Sequence, residues 1–326
     1  MADFIPSFLF QNTTIKNDGR TAAAIIIMDA SKEGWVGIPH GGIGMGAIME
    51  LVAGFEHCSD NGALRYPVSC CFRMGGAGVR VGDVVGVTVN ALDTGVSGVD
   101  GISGSVMVDG AGMPYITGDI AFGDQMPEID AYPREYVPLD FSRMKGKLTH
   151  LPHYLNCFVC GVDRKQPGLK RRFHLWRSEH GNIVCAFAGF NDEDKDTFFR
   201  FERNGFVHPM ALLAVLDETM GWGGFFASEN GGVSVRLNYK LLRKIGMNEK
   251  LVFFGRGEKV MGRIDKRMMF WASGCAAVMQ TNGSFEVVAE SSGQWYAMAA
   301  LTEQMRETLI PASLTENAFA VVAAKK

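Results

Sequence analysis

The residues best suited to chemistry stand at two places with one spacing. His40-Gly41-Gly42 opens an apolar stretch, IPHGGIGMGAIMELVAGF (38–55), whose single carboxylate is Glu50. His208-Pro209-Met210 opens a second, FVHPMALLAVLDETMGWGGFF (206–226), which carries Asp217 and Glu218. Both read as helix starts. The first N–H groups of a helix have no partner inside it, and the dipole favours negative charge there. Glycine lets a ligand approach such a backbone closely. Gly41 and Gly42 are therefore candidate oxyanion donors, with His40 shaping the turn or touching the reacting group. Pro209 has no N–H and cannot donate, so His208 is read as structural. A carboxylate in an apolar run is costly to bury unpaired, and burial raises its pKa in the direction a general base needs. Nine residues after His208 comes Asp217; nine after His40 comes Met49, which can be neither base nor nucleophile. Each phrase keeps the half that the other lacks.

Glu50 and Glu218 each follow their histidine by ten residues. Neighbours on a helix point roughly 100° apart, so Asp217 and Glu218 are not expected to share one site. Asp217 is preferred, with Glu50 and Glu218 in reserve. Asn204-Gly205 reads as turn chemistry, with contact to substrate as the alternative for Asn204.

The elements that must hold these residues follow from apolar period. TAAAIIIM (21–28) is a short apolar run suited to a buried strand, and 41–57 a helix. Strand candidates follow at 66–74, 83–92, 101–110 and 115–123. The stretch 124–155, rich in proline, reads as a connector. The order then returns: strands at 169–176 and 182–190, an acidic loop NDEDKD, a helix at about 208–228, strands at 233–242, 250–260, 267–280 and 285–298, and a helix at 300–309. Strand, helix and four strands, twice, make an internal repeat.

These residues resemble the hot-dog thioesterase family. The resemblance rests on HGG at the start of the first helix, the Gly82-Asp83 turn, the spacing His208 to Asp217, and NCFVCGVDRKQPGLKRRF (156–173), which is similar to the opening of PaaI-like members. It implies an α+β double hot-dog: two tandem copies, 1–123 and 156–299, each with one long helix packed on a curled antiparallel sheet, followed by a C-terminal helix and tail at 300–326. It also implies an acyl-CoA thioesterase with one composite site, Gly41 and Gly42 facing Asp217 as general base or nucleophile. The opposite site, with Pro209 and Met49, is then impaired. Coenzyme A enters only as part of the substrate, and hot-dog chains usually assemble as homo-oligomers. Two other functions stay open: an enoyl-CoA hydratase or dehydratase, and a non-catalytic acyl-CoA-binding protein. Against the hydratase, FERNGFVHP (201–209) lacks the aspartate its signature needs.

The remaining features bound the reading. The chain has 326 residues, 47% hydrophobic, with formal net charge −3. No basic excess argues for nucleic acid. The clusters LKRRFHLW and KLLRKIG read as solvated faces, with Arg243 and Lys244 as candidate contacts to coenzyme A phosphates. No apolar run reaches the ~18–20 residues of a membrane span. No signal peptide is expected, and seven cysteines without one suit reduced thiols in the cytoplasm. Cys157-x-x-Cys160 raises zinc, but structural zinc wants four ligands and no second pair sits at matching spacing. The expectation is two thiols and no metal. Cys70, Cys71 and Cys185 read as buried strand residues, and GGAGVRVG (75–82) as a hairpin loop, because no helix follows it. RMMFWAS (267–273) is expected in the core or lining an acyl pocket.

Overall fold

Alternating apolar side chains build one antiparallel sheet that runs through both halves of the chain. The computed structural model describes residues 4–11, 13–60, 63–76, 78–92, 101–123, 136–138, 141–144 and 146–309. The strands are β1 (Lys16–Asn17), β2 (Thr21–Ile27), β3 (Val68–Met74), β4 (Val84–Leu92), β5 (Gly101–Val108), β6 (Ile116–Phe122), β7 (Leu148–His150), β8 (Phe173–Ser178), β9 (Gly181–Ala188), β10 (Gly232–Leu241), β11 (Leu251–Arg263), β12 (Arg267–Met279) and β13 (Phe285–Ala297). Across the sheet they run β1-β2-β4-β5-β6-β3-β10-β13-β12-β11-β9-β8-β7. The five strands β2 to β6 and the five strands β9 to β13 follow the same order, outer to inner. The halves meet where β3 pairs with β10, from Val68 opposite Leu241 to Arg73 opposite Arg236.

This corrects the expected fold class. Two copies, each with one long helix on its own curled sheet, are not what forms. The sheet is a single open ladder of thirteen strands. The edges that two separate sheets would expose satisfy each other at the β3–β10 seam. Helices are also more numerous: besides a single turn at Glu193–Asp196 within the acidic stretch, they are α1 (Phe4–Phe10), α2 (Gly41–Ala53), α3 (Pro209–Ser228) and α4 (Ala299–Thr308). Of these, α1 had no counterpart in the sequence reading.

Strand faces obey the period of two. In β4, Val85, Val87 and Val89 point into the core. In β2, Ala22, Ala24 and Ile26 are buried, but Ile25 and Ile27 face outward, so the run is half-buried rather than buried. The Gly82-Asp83 turn forms as expected. Gly82 takes a positive φ of 107°, and its N–H bonds to Met28 O at 2.7 Å, joining the end of β2 to the start of β4.

Helices α2 and α3 lie on the same sheet face and touch each other. Glycine decides how closely. A Cβ on Gly42 would stand 2.4 Å from the Cβ of Ala214, and one on Gly46 would stand 2.3 Å from Met210 Cγ. Two of the α2 glycines therefore serve helix packing. The opposite sheet face of the second half has its own apolar cluster, in which Tyr136 and Met144 from the connector cover Trp176, Ile183, Val252 and Phe254. Tyr136 Oη lies 3.0 Å from Ser273 Oγ. The described part of the connector is thus packed structure; 124–135 lie outside the described residues.

The basic cluster at 169–176 is not a solvated face throughout. Arg171 is buried and paired with Asp194 of the acidic loop, whose other oxygen accepts from Gly189 N at 2.6 Å. A buried charge needs such a partner. β8 consequently starts at Phe173, later than expected.

Candidate functional site

The two long helices start in the same way. His40 and His208 are N-caps with φ −68° and extended ψ. Each ring turns its Nδ1 toward the helix and accepts from the second N–H: Gly42 N at 3.0 Å, Met210 N at 3.2 Å. This satisfies one of the orphan donors that every helix start carries. Each ring then presents Nε2 to a glutamate on the other helix, Glu218 at 3.7 Å and Glu50 at 3.1 Å. The crossing of α2 and α3 thus brings together residues 178 and 158 positions apart in sequence, reciprocally.

At the start of α2 the surroundings are small and acidic. Asp217 is buried. Its Oδ1 accepts from Ser234 Oγ at 3.0 Å, and its Oδ2 lies 3.6 Å from the point a Cβ on Gly41 would occupy. Burial raises the Asp217 pKa above the usual carboxylate value; His40 and the Ser234 hydrogen bond oppose the rise, and Glu218 adds to it. Gly42 N–H is held by His40, which leaves Gly41, whose Cα borders Asp217, as the candidate backbone donor of this helix start. The two glycines therefore differ: Gly41 borders the acid, and Gly42 packs against Ala214.

Glu218 joins the same region, contrary to the expectation that neighbours on a helix exclude each other. Its longer side chain reaches the far side of the helix start, where Oε2 meets His40 and the Cys157 sulfur at 3.3 Å. Donor atoms of His40, Cys157 and Glu218 all lie within 4.8 Å of one another, close enough to hold a metal ion. Neither Cys157 nor Ser234 stood out as a site residue in the sequence. Cys157 meets partners from distant segments and Ser234 lies on the strand after α3; only the HGG helix start and the buried acid gave a local signal.

At the start of α3 the corresponding space is filled. Glu50 is buried, and besides His208 it accepts from Arg203 Nη1. Arg203 is carried by a hairpin, Glu202–Arg203 with Phe206–Val207, whose turn is Asn204-Gly205. Positive φ at Asn204 (52°) and Gly205 (79°) fits the tight turn expected of this pair. Met49 is buried, its sulfur 3.5 Å from Cys70 Sγ. The cavity left among Met49, Glu50, Arg203, His208 and Pro209 is about 20 Å³.

The other candidates stand elsewhere. Arg243 bonds to both Glu249 and Glu286 through five guanidinium contacts counting the Lys244 carbonyl. Those partners, chiefly the two carboxylates, raise its pKa further and occupy the donors a phosphate would need. Lys244 Nζ sits 5.5 Å from the Phe206 ring centroid. A cavity of about 550 Å³ opens at the seam between the halves, lined by residues such as Cys71, Asp119, Arg236, Glu258 and Trp271. His40, Gly41 and Asp217 are not in its lining. Of the expected buried thiols, Cys70 and Cys185 are buried and Cys71 is half-buried. Among the described residues no helix is long and apolar enough to cross a membrane.

No protein-family model matches this sequence, and no curated protein matches it by sequence comparison. Solved structures do match in fold. A protein of Thermobifida fusca YX provisionally called a thioesterase II aligns with TM-score 0.54 at 13% identity, over 88% of this chain and 96% of that one. The dehydratase domain of a mycocerosic acid synthase-like polyketide synthase aligns with TM-score 0.53 at 10% identity, over 89% and 96%. A provisionally named oleoyl thioesterase of Lactobacillus plantarum aligns with TM-score 0.51 at 8% identity, over 89% and 98%. These likenesses span both halves and single out no PaaI-like branch. What they establish is the fold alone: this chain shares the hot-dog fold.

Proposed function

We propose that the chain hydrolyses an acyl thioester, with acyl-CoA as the substrate class, at one composite site built across two tandem hot-dog units (1–123 and 156–299). The observation that carries this reading is the opposition of Gly41 and Asp217 at the start of α2. The thioester carbonyl oxygen sits at the Gly41 N–H, where the donor and the helix dipole stabilise the charge that develops on it. Asp217 Oδ2, left open while Ser234 holds Oδ1, takes a proton from an attacking water. The carbon–sulfur bond then breaks, and the coenzyme A thiolate leaves and is protonated. His40 positions the helix start.

The test is thiol release from short, long and aromatic acyl-CoAs by the native chain and by Asp217→Asn. Release that vanishes in the variant supports hydrolysis at this site. Release that survives removes Asp217 from the mechanism. Binding without release by the native chain turns the reading to an acyl-CoA-binding protein, and hydration of an enoyl-CoA turns it to a hydratase.

A further inference from the structure

We infer that His40, Cys157 and Glu218 form a binding site for one zinc ion at the start of α2. The inference goes beyond the proposed hydrolysis and does not rest on it. The donors are imidazole nitrogen, thiolate sulfur and carboxylate oxygen, the set zinc prefers. Two of the three spacings agree, and the third pair, Nε2 and Sγ, lies within 4.8 Å. Ligands on a tetrahedral zinc stand about 3.3–3.6 Å apart, from bond lengths near 2.0–2.3 Å. Here Nε2 to Oε2 is 3.7 Å and Sγ to Oε2 is 3.3 Å. Three protein ligands leave a fourth position for water or substrate.

The second helix start shows what the first one lacks. There the buried glutamate, Glu50, has a histidine and a cation, Arg203. Here Glu218 has a histidine and a thiol, and among the described residues no lysine or arginine pairs with it. A dication supplies the missing positive charge and neutralises one thiolate and one carboxylate. The backbone is already arranged for the thiolate: Val159 N and Cys160 N both donate to Cys157 Sγ at 3.3 Å. Cys160 is buried in the same loop. The sequence offered only this one CxxC because the other two ligands come from α2 and α3, segments that only folding brings together.

Zinc binding would alter the cap. With Nδ1 accepting from Gly42, the neutral ring carries its proton on Nε2. A metal on Nε2 requires that proton to move to Nδ1. The bond to Gly42 then ends, and the Gly42 N–H returns to the open helix start. A helix cap is weak beside a zinc–ligand bond, so the exchange favours the metal.

The experiment reads metal, not turnover, and so fails independently of the hydrolysis proposal. The purified full chain is loaded with zinc chloride, dialysed, and its zinc measured by elemental mass spectrometry. In parallel, cobalt chloride is titrated in and followed by absorbance. About one zinc per chain is expected, with a thiolate-to-cobalt charge-transfer band. Cys157→Ser should abolish the band and weaken zinc binding by about 100-fold or more; Cys275→Ala, a buried thiol of β12, should leave both unchanged. A native chain that retains no zinc overturns the inference. So does a cobalt spectrum without the thiolate band, or zinc retention unaffected by Cys157→Ser. If Cys157→Ser does not fold, the cobalt spectrum of the native chain decides.

Discussion

The starts of α2 and α3 share a scaffold and differ in everything around it. Both have a capping histidine whose Nδ1 holds the second helix N–H, and both set that histidine against a glutamate of the other helix. A feature present on both sides cannot be what makes one side reactive. The His–Glu pair is therefore read as the joint that fixes the crossing of the two helices. On the proposed reading the differences carry the chemistry. One start has Gly41, Asp217 and a thiol; the other has Pro209, Met49 and an arginine. One sets an acid beside Gly41; the other closes on a cavity of about 20 Å³.

The sharpest way to break this comparison is Asp217→Asn. Loss of a general base typically lowers turnover by about 10²–10⁴-fold, and thiol release should fall by that much. Stability should move the other way or not at all. Burial raises the Asp217 pKa in the folded chain, so the folded state binds this proton more tightly than the unfolded one. Its stabilising contribution is then whole below the unfolded value, about 3.9, and is lost as pH rises through the raised folded value. At neutral pH the ionised side chain costs stability, and asparagine removes that cost. Thermal melts at pH 4 and pH 7 should show the variant gaining relative to the native chain at the higher pH. The same shift predicts that native kcat/KM falls as pH drops through a value above the ordinary aspartate range. An acid limb at the ordinary value would contradict the burial seen here.

A smaller effect separates the two glycines. A Cβ on Gly41 would meet only Asp217 Oδ2 at 3.6 Å and Met74 Cε at 3.7 Å, ordinary contacts that the fold tolerates. It would also fill the gap between acid and donor. Gly41→Ala should fold normally and lose about 10-fold in kcat/KM, from the geometric disturbance of the reacting groups. At Gly42 a Cβ would stand 2.4 Å from Ala214 Cβ and 2.9 Å from its Cα. Gly42→Ala should therefore destabilise, by about 1–3 kcal/mol from overpacking, against a gain in helix propensity of about 1 kcal/mol. Chemical denaturation and kinetics on the two variants read both arms. Equal behaviour of the two would mean that Gly41, like Gly42, is only a packing residue.

These two glycines also mark how far the sequence was legible. HGG announced a helix start, but nothing local told a residue that borders an acid from one that touches Ala214. The repeated order of strands was visible because each strand carries its own period of two. The register of the β3–β10 seam was not, because it is a long-range pairing with no signature in either strand. Asp217 was visible as an acid in an apolar run. Cys157 was visible only as half of a CxxC, since its partners His40 and Glu218 lie in other segments. Arg243 looked available for phosphate because charge is local in sequence, whereas Glu249 and Glu286 close on it only in the fold.

Glu50→Gln tests the filled start. Glu50 is held by Arg203 and His208, and the amide cannot neutralise the arginine. Removing one partner of a buried pair costs about 3–5 kcal/mol; the partly exposed Arg203 side chain, 26% accessible, brings this to about 2–3 kcal/mol. Turnover should change by less than about twofold, because this start has neither donor nor base. A denaturation midpoint and one thiol-release rate suffice. A large loss of turnover with little loss of stability would assign Glu50 to the chemistry and undo the contrast with Asp217.

The smallest expected effect is none. Pro209→Gly with Met49→Asp, placed in the Asp217→Asn chain, would give the second start the glycine and acid that the first one has. Composition alone would then predict restored hydrolysis. The structure predicts no thiol release above the Asp217→Asn background, because Arg203, Glu50 and His208 still occupy the space a thioester would need, and a cavity of about 20 Å³ admits little more than a water. An added acid at position 49 would also lie among buried apolar residues and near the Arg203 hairpin, where pairing would hold it away from any substrate. Because Met49→Asp buries an acid at a cost to the fold, Pro209→Gly alone serves as the milder form, read by the same assay. Turnover recovered in either chain would show that the glycine and the acid suffice by themselves. It would then be the sequence of each start, not the arginine plug, that silences the second one.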